Sequence, residues 1–217
     1  MRVTVVTRRR ARPGLEAALV AAAVRLIEEP SEWTKERRAA RLFRGRDEPD
    51  VILYVADWNS MDAYWARMRR GGASQQLDAL CSEEPERRFF QRLWGYEIVS
   101  RRAAMASIAL IATPPAATTA VRDYIVSTVR SLTRHQPGFV LSHLHQELHD
   151  APRFLLIQGW ESPEAWEAFI QHVTPRIEAA LHAWGATLRR FVGIPQTEHY
   201  RRLAMVASSS PAIPRGP

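Results

Sequence analysis

His143 and His145 stand two residues apart in an apolar stretch, and they are the first groups in this chain suited to moving a proton. On a strand, residues i and i+2 share a face, so the two imidazoles lie together with Leu144 on the opposite side. Such a pair reads either as a base with a neighbour that tunes it or as two ligands of a metal. Beyond Glu147 and Asp150 no acidic third ligand is close in sequence, and no metal is assigned. All seven histidines fall between His135 and His199. Trp160 ends the next apolar stretch, and its indole N–H could donate to a substrate oxygen; the other reading is a strand-end anchor for the helix that follows. His143, His145 and Trp160 are the candidate catalytic residues. Trp58, which ends the matching stretch earlier in the chain, is a candidate substrate-binding residue, because it would wall a pocket; the other reading is again a strand-end anchor. Cys81, the only cysteine, excludes an internal disulfide and a multi-cysteine metal site, and it follows an apolar stretch that leaves it inert. No Ser/His/Asp arrangement, phosphate-binding loop or dinucleotide fingerprint occurs.

These residues sit on elements that occur twice. Residues 51–64 (VILYVADWNSMDAY) and 153–166 (RFLLIQGWESPEAW) each read as a buried strand ending in Trp, then a Ser cap, an acid in the first turn and an amphipathic helix. Trp58 and Trp160 are 102 apart, and at the same offset Leu42/Leu144, Leu53/Leu155, Ser60/Ser162 and Ala63/Ala165 are identical. The chain is therefore a duplication, with residues 1–102 and 103–203 as the two copies and 204–217 as a loose Ser/Pro-rich tail. His143 and His145 match Arg41 and Phe43 of the first copy, so the two halves have diverged there.

Periodicity fills in the remaining elements. In the first copy it gives strands at 3–7, 39–44, 51–57 and 89–99, helices at about 14–29 and 60–70, and a short helix at 75–80. Trp33 lies in the polar connection between them as a packing lid. The second copy repeats the order, with strands at 105–112, 139–146 and 154–159 and helices at 116–134, 162–173 and 174–184. Residues 186–192 with 198–203 supply closing strand or irregular structure. Strands 51–57 and 154–159 are apolar at nearly every position, so both their faces must be covered.

Bulk properties narrow the function classes. With 46% apolar residues the chain can bury a core. Its apolar runs are too short to cross a bilayer, and its first residues pass directly into a strand pattern without a leader's cleavage site. A reduced, cytoplasmic setting is expected. The formal charge of +7 and pI near 10.4 raise the question of nucleic acid. The arginines, however, come in small clusters with acids nearby and without a zinc-finger, helix-turn-helix or RNA-binding signature. Solvated arginine-rich faces are the plain reading, with an anionic or phenolate ligand near the first-copy arginines as the lesser one.

Each half reads β-α-β-β-α-β, the ferredoxin-like unit. The fold class is α+β: two tandem ferredoxin-like units forming an intramolecular dimeric α/β barrel, sheets face to face and helices outside. The strand-Trp-x-Ser-x-x-Ala-(Tyr/Trp) pattern within such units resembles the antibiotic biosynthesis monooxygenase (ABM) family of the dimeric α+β barrel superfamily. The resemblance implies cofactor-independent oxidation, by O₂, of a small aromatic or polyketide-like phenolic substrate. It implies no metal or flavin, a largely apolar pocket between sheet and helices, and an internal pseudo-dimer open to further self-association. The family pattern has an Asn four residues before the Trp, where this chain has Tyr54 and Leu156, and a Tyr six after it, where this chain has Tyr64 and Trp166; the resemblance thus implies Tyr54, Tyr64 and Trp166, with Trp58, as substrate-binding candidates. The alternative is a non-catalytic ligand-binding or structural barrel. The haem-degrading branch of the family is a minor alternative, since its Trp/His pairing has no match at the expected spacing. No nucleic-acid or membrane partner is expected.

Overall fold

The computed structural model describes residues 1–28, 35–149 and 152–200. Trp33, Asp150 and the tail from Ala204, all given a role above, lie outside the described residues. So do the end of the first helix beyond Glu28 and residues 201–203 of the closing strand.

The first repeat runs β1 (Val3–Arg10), α1 (Glu16–Glu28), β2 (Arg37–Gly45), β3 (Val51–Trp58), α2 (Met61–Arg69), α3 (Ala73–Asp78) and β4 (Glu86–Glu97). The second begins with β5 (Met105–Ala112). It continues through α4 (Thr118–Tyr124), one π-helical turn at Ile125–Val129, and α5 (Arg130–Arg134). It ends with β6 (Phe139–Glu147), β7 (Arg153–Trp160), α6 (Pro163–His172), α7 (Thr174–Ala183) and β8 (Thr187–Tyr200). The expected elements are present, with ends shifted by a few residues. The closing strand differs: it is one long strand rather than two pieces. Pro195, which lacks an N–H, sits beside a register shift in the β2–β8 ladder and so costs that ladder little.

The eight strands of the described residues close into a barrel in the order β1-β3-β2-β8-β5-β7-β6-β4. Moving four places around it exchanges every strand with its counterpart in the other repeat, so the barrel axis is a pseudo-twofold. The repeats are stitched by their last strands. β4 pairs with β1 over Glu86–Phe90 and with β6 over Phe90–Glu97. β8 likewise pairs first with β5 and then with β2. As expected, β3 and β7 are buried on both faces. In β3, Leu53 and Val55 point into the lumen with Val6, Phe43 and Phe90, whereas Ile52, Ala56 and Trp58 point outward under the helices. In β7, Leu155 and Ile157 face the lumen, whereas Phe154, Leu156 and Trp160 face the helices.

The duplicated caps form as the sequence requires. Ser60 Oγ accepts from Ala63 N at 3.1 Å, and Ser162 Oγ accepts from Ala165 N at 3.2 Å. Gly138, at φ 71°, lets the turn before β6 approach α6; a Cβ there would come within 2.5 Å of Ala165 Cβ. Replacing Ser162 with alanine removes the side-chain acceptor of one first-turn N–H and is expected to cost about 1 kcal/mol. Urea midpoints of the two proteins measure it, and an unchanged midpoint would mean that the cap adds nothing to the stability of this helix.

Candidate functional site

In the second repeat the layer between sheet and helices encloses a cavity of about 20 Å³. Its walls are apolar side chains from every surrounding element: Ala109 and Ile111 of β5, Leu156 of β7, Phe169 of α6, Ile177 and Leu181 of α7. Ile125 and Val129, the two ends of the π turn, complete it. Turns of this kind widen a helix locally and are frequent at functional sites. Four polar residues also reach the cavity: Ser107, Gln158, Thr174 and Arg190. Gln158 donates to Thr133 Oγ1 at 3.1 Å, which in turn donates to the Val129 carbonyl at 2.6 Å. The buried Thr174 Oγ1 and Arg190 Nε have no hydrogen-bond partner, although Arg190 also donates to Glu178 at 2.8 Å. Unsatisfied buried polar atoms are costly, and two of them lie at this one small cavity.

Trp160 lies in the same sheet–helix layer but does not line this cavity. Its ring is fully buried, 4.6 Å from Phe169 and 5.7 Å from Phe139, centroid to centroid. Its Nε1 has no partner. Trp166 is buried on the same side, under the guanidinium of Arg46 at 5.0 Å.

The first repeat fills the same layer with aromatics. Trp58 and Tyr64 are both buried and meet edge to face at 5.8 Å. Burial raises the pKa of Tyr64, whose hydroxyl has no hydrogen-bond partner. Tyr54 accepts from Arg37 Nη1 at 3.2 Å, and the same guanidinium donates to the carbonyls of Leu26 and Ile27, so it ties β2 to the end of α1. Cys81 is buried and donates to the Leu77 carbonyl, and burial pushes its pKa up, away from the reactive thiolate.

The histidines are elsewhere. His143 and His145 share a face, as expected, but that face is the barrel lumen, whereas Trp160 points to the helices. The sheet separates them, and a single pocket holding all three does not exist, because adjacent strands place the odd positions of β6 and the even positions of β7 on opposite sides. His143 Nδ1 lies 3.4 Å from Arg41 Nη1, its symmetry counterpart on the axis, and its Nε2 lies 3.7 Å from Glu97. Arg41 also meets Glu97 at 3.1 Å and Glu198 at 3.5 Å. Burial, reinforced by Arg41 and Arg92, holds His143 well below its ordinary pKa. Burial pushes His145 down to about 4, despite the opposing pull of Asp57. Both are neutral near pH 7. Among the described residues no group of three metal-ligating side chains forms.

Sequence reasoning therefore missed Gln158, Thr174 and Arg190. Gln158 carried a readable signal, as the only polar side chain within an otherwise apolar stretch of β7. Thr174 resembled a simple helix start, and the π turn had no periodicity signal of its own.

The sequence model of the antibiotic biosynthesis monooxygenase family matches residues 104–191. No curated protein matches the chain in sequence. Among solved structures, an anthrone oxidase-like protein superposes with a TM-score of 0.74 at 11% identity, over 92% of this chain and 93% of that one. A putative monooxygenase of Fusobacterium nucleatum gives 0.73 at 9%, over 92% and 94%. One from Lactobacillus acidophilus gives 0.71 at 5%, over 92% and 96%. At such identities the likeness is one of fold, and it extends over both repeats and the closed barrel. No helix among the described residues is long and apolar enough to cross a membrane. Residues 104–191 are thus similar to the antibiotic biosynthesis monooxygenase family, and the chain as a whole shares the fold of these solved structures.

Proposed function

We propose that this protein is a cofactor-independent monooxygenase acting on a small phenolic aromatic, with its site in the sheet–helix layer of the second repeat. One observation carries the reading: Gln158, Thr174 and Arg190 converge on an apolar cavity beside a π turn. A phenol bound there as phenolate would place its oxygen against the Arg190 guanidinium and the Gln158 amide, both able to donate to negative charge. The electron-rich ring then reduces O₂, and an anthrone-type CH₂ becomes C=O with the second oxygen leaving as water. The cavity of about 20 Å³ suits one water or one O₂. A ring system needs roughly 300 Å³, so substrate entry requires α6 and α7 to part from the sheet. The junction of these helices at Val173–Thr174 is where that movement would begin.

Oxygen consumption against hydroxylated anthrones and naphthols, with chelator present, tests this. Uptake is expected in the wild type, and Arg190→Leu is expected to lower kcat/KM by about 100-fold, the usual effect of losing a donor to a developing oxyanion. Uptake unchanged in Arg190→Leu would move the site elsewhere.

One observation favours a second reading, a barrel that binds but does not oxidise. Leu156, which lines the cavity, stands where the family pattern expects an amide side chain. Thermal shift on binding the same compounds, with no oxygen uptake across the panel, would establish that reading.

A further inference from the structure

The lumen breaks its own symmetry on one side. Thr4, Asp57, Arg92 and His145 come together on one side of one mouth of the barrel. Thr4 Oγ1 donates to Asp57 at 2.6 Å, and Arg92 Nη1 lies 4.0 Å from the other Asp57 oxygen. His145 pairs with Arg92 across the β4–β6 ladder, is 2% exposed, and has no hydrogen-bond partner for Nδ1. Strand pairing identifies the four counterparts on the opposite side as Ala106, Gly159, Pro195 and Phe43. All four are apolar. Two copies that began alike have thus acquired a polar quartet on one side and a packed apolar patch on the other.

The polar side opens outward. A cavity of about 440 Å³ is lined by Thr4, Asp57, Arg92, Gln91, Arg2 and Arg38. Val3 and Trp58 form its apolar wall. Three guanidinium groups thus face one carboxylate, which Thr4 already engages. Among the described residues neither Arg2 nor Arg38 has an ion-pair partner. Excess guanidinium in a concave, partly apolar space is the arrangement that recognises carboxylate or phosphate oxygens through paired N–H donors. The volume suits a metabolite rather than a bare ion.

The geometry points to a second ligand site at this end of the barrel, separate from the sheet–helix cavity, that takes a small organic oxyanion on Arg2, Arg38 and Arg92. Its apolar portion rests on Val3 and Trp58. Behind it Asp57 lies 4.0 Å from the Arg92 guanidinium, and His145 pairs with Arg92 across the β4–β6 ladder.

Isothermal titration of the full chain with inorganic phosphate and with citrate, against chloride at matched ionic strength, tests the assignment. Saturable binding of at least one anion is expected, weakened at least tenfold in Arg38→Ala and in Arg2→Ala. Arg189→Ala, at the opposite mouth of the lumen, is expected to bind like the wild type. Binding of phosphate alone identifies phosphate esters as the ligand class, binding of citrate alone identifies carboxylates, and binding of both identifies oxyanions in general. No binding above chloride overturns the site. So does binding that Arg38→Ala and Arg2→Ala leave intact, or that Arg189→Ala weakens equally.

Discussion

Trp160→Ala is expected to lower the unfolding free energy by about 3–5 kcal/mol, the usual cost of truncating a buried Trp. For a chain of this size that corresponds to a fall in Tm of roughly 10 °C. The indole is fully buried between Phe139 and Phe169, and its removal leaves a hole that three separate elements would have to close. Its Nε1 makes no hydrogen bond, so the loss is one of packing and not of polar contact. Trp160→Phe separates structure from chemistry. It keeps most of the ring contact and is expected to retain most of the stability. If oxygen uptake survives in Trp160→Phe, the indole N–H has no part in the reaction and the residue is an anchor. A loss below about 1 kcal/mol in Trp160→Ala would contradict the packing account altogether.

The second large effect is an acid sensitivity that begins above the range in which carboxylates titrate. In the folded protein His145 has a pKa of about 4, whereas in the unfolded chain it has its ordinary value near 6.5. The unfolded state therefore binds this proton first. The stability associated with the neutral imidazole is fully present above pH 6.5 and is lost as the pH falls from there towards 4. Between pH 7 and 5 His145 alone accounts for about 2 kcal/mol. His143 shifts in the same direction and adds to it. Urea midpoints at pH 7 and pH 5 measure the loss. His145→Phe, which installs the side chain found at the counterpart position Phe43, is expected to flatten part of the profile. A midpoint unchanged between the two pH values would mean that these rings are protonated or hydrated in the native barrel.

The duplication was legible because Trp58/Trp160 and Ser60/Ser162 keep strict register, and a strand-end Trp followed by a cap has few structural meanings. The two-sided burial of β3 and β7 was legible from their unbroken apolar runs, and it required the barrel. The candidate site was much less so. Alternation along β6 correctly put His143 and His145 on one face, but alternation does not say which face. The answer depends on which residue of β7 lies opposite each of them. Arg41 and His143 could be matched at an offset of 102, yet only closure about a common axis brings matched positions into contact. Thr174 and Arg190, 16 positions apart on α7 and β8, reach one cavity, and no local pattern marks that meeting. The single strand β8 was obscured by Pro195, which reads as a break unless the ladder beside it shifts.

The stitching of the repeats also sets an order in time. β2 cannot find its outer partner until β8 exists, and the two are separated by most of the chain. While the chain is being made, the first repeat can assemble β1, β2 and β3 and still present an open β2 edge. Open edges recruit other chains, and pairings this distant in sequence form slowly. β2 carries Arg37, Arg38, Arg41 and Arg44 along its length, and charged residues on an open edge oppose its pairing with a second copy until β8 covers it.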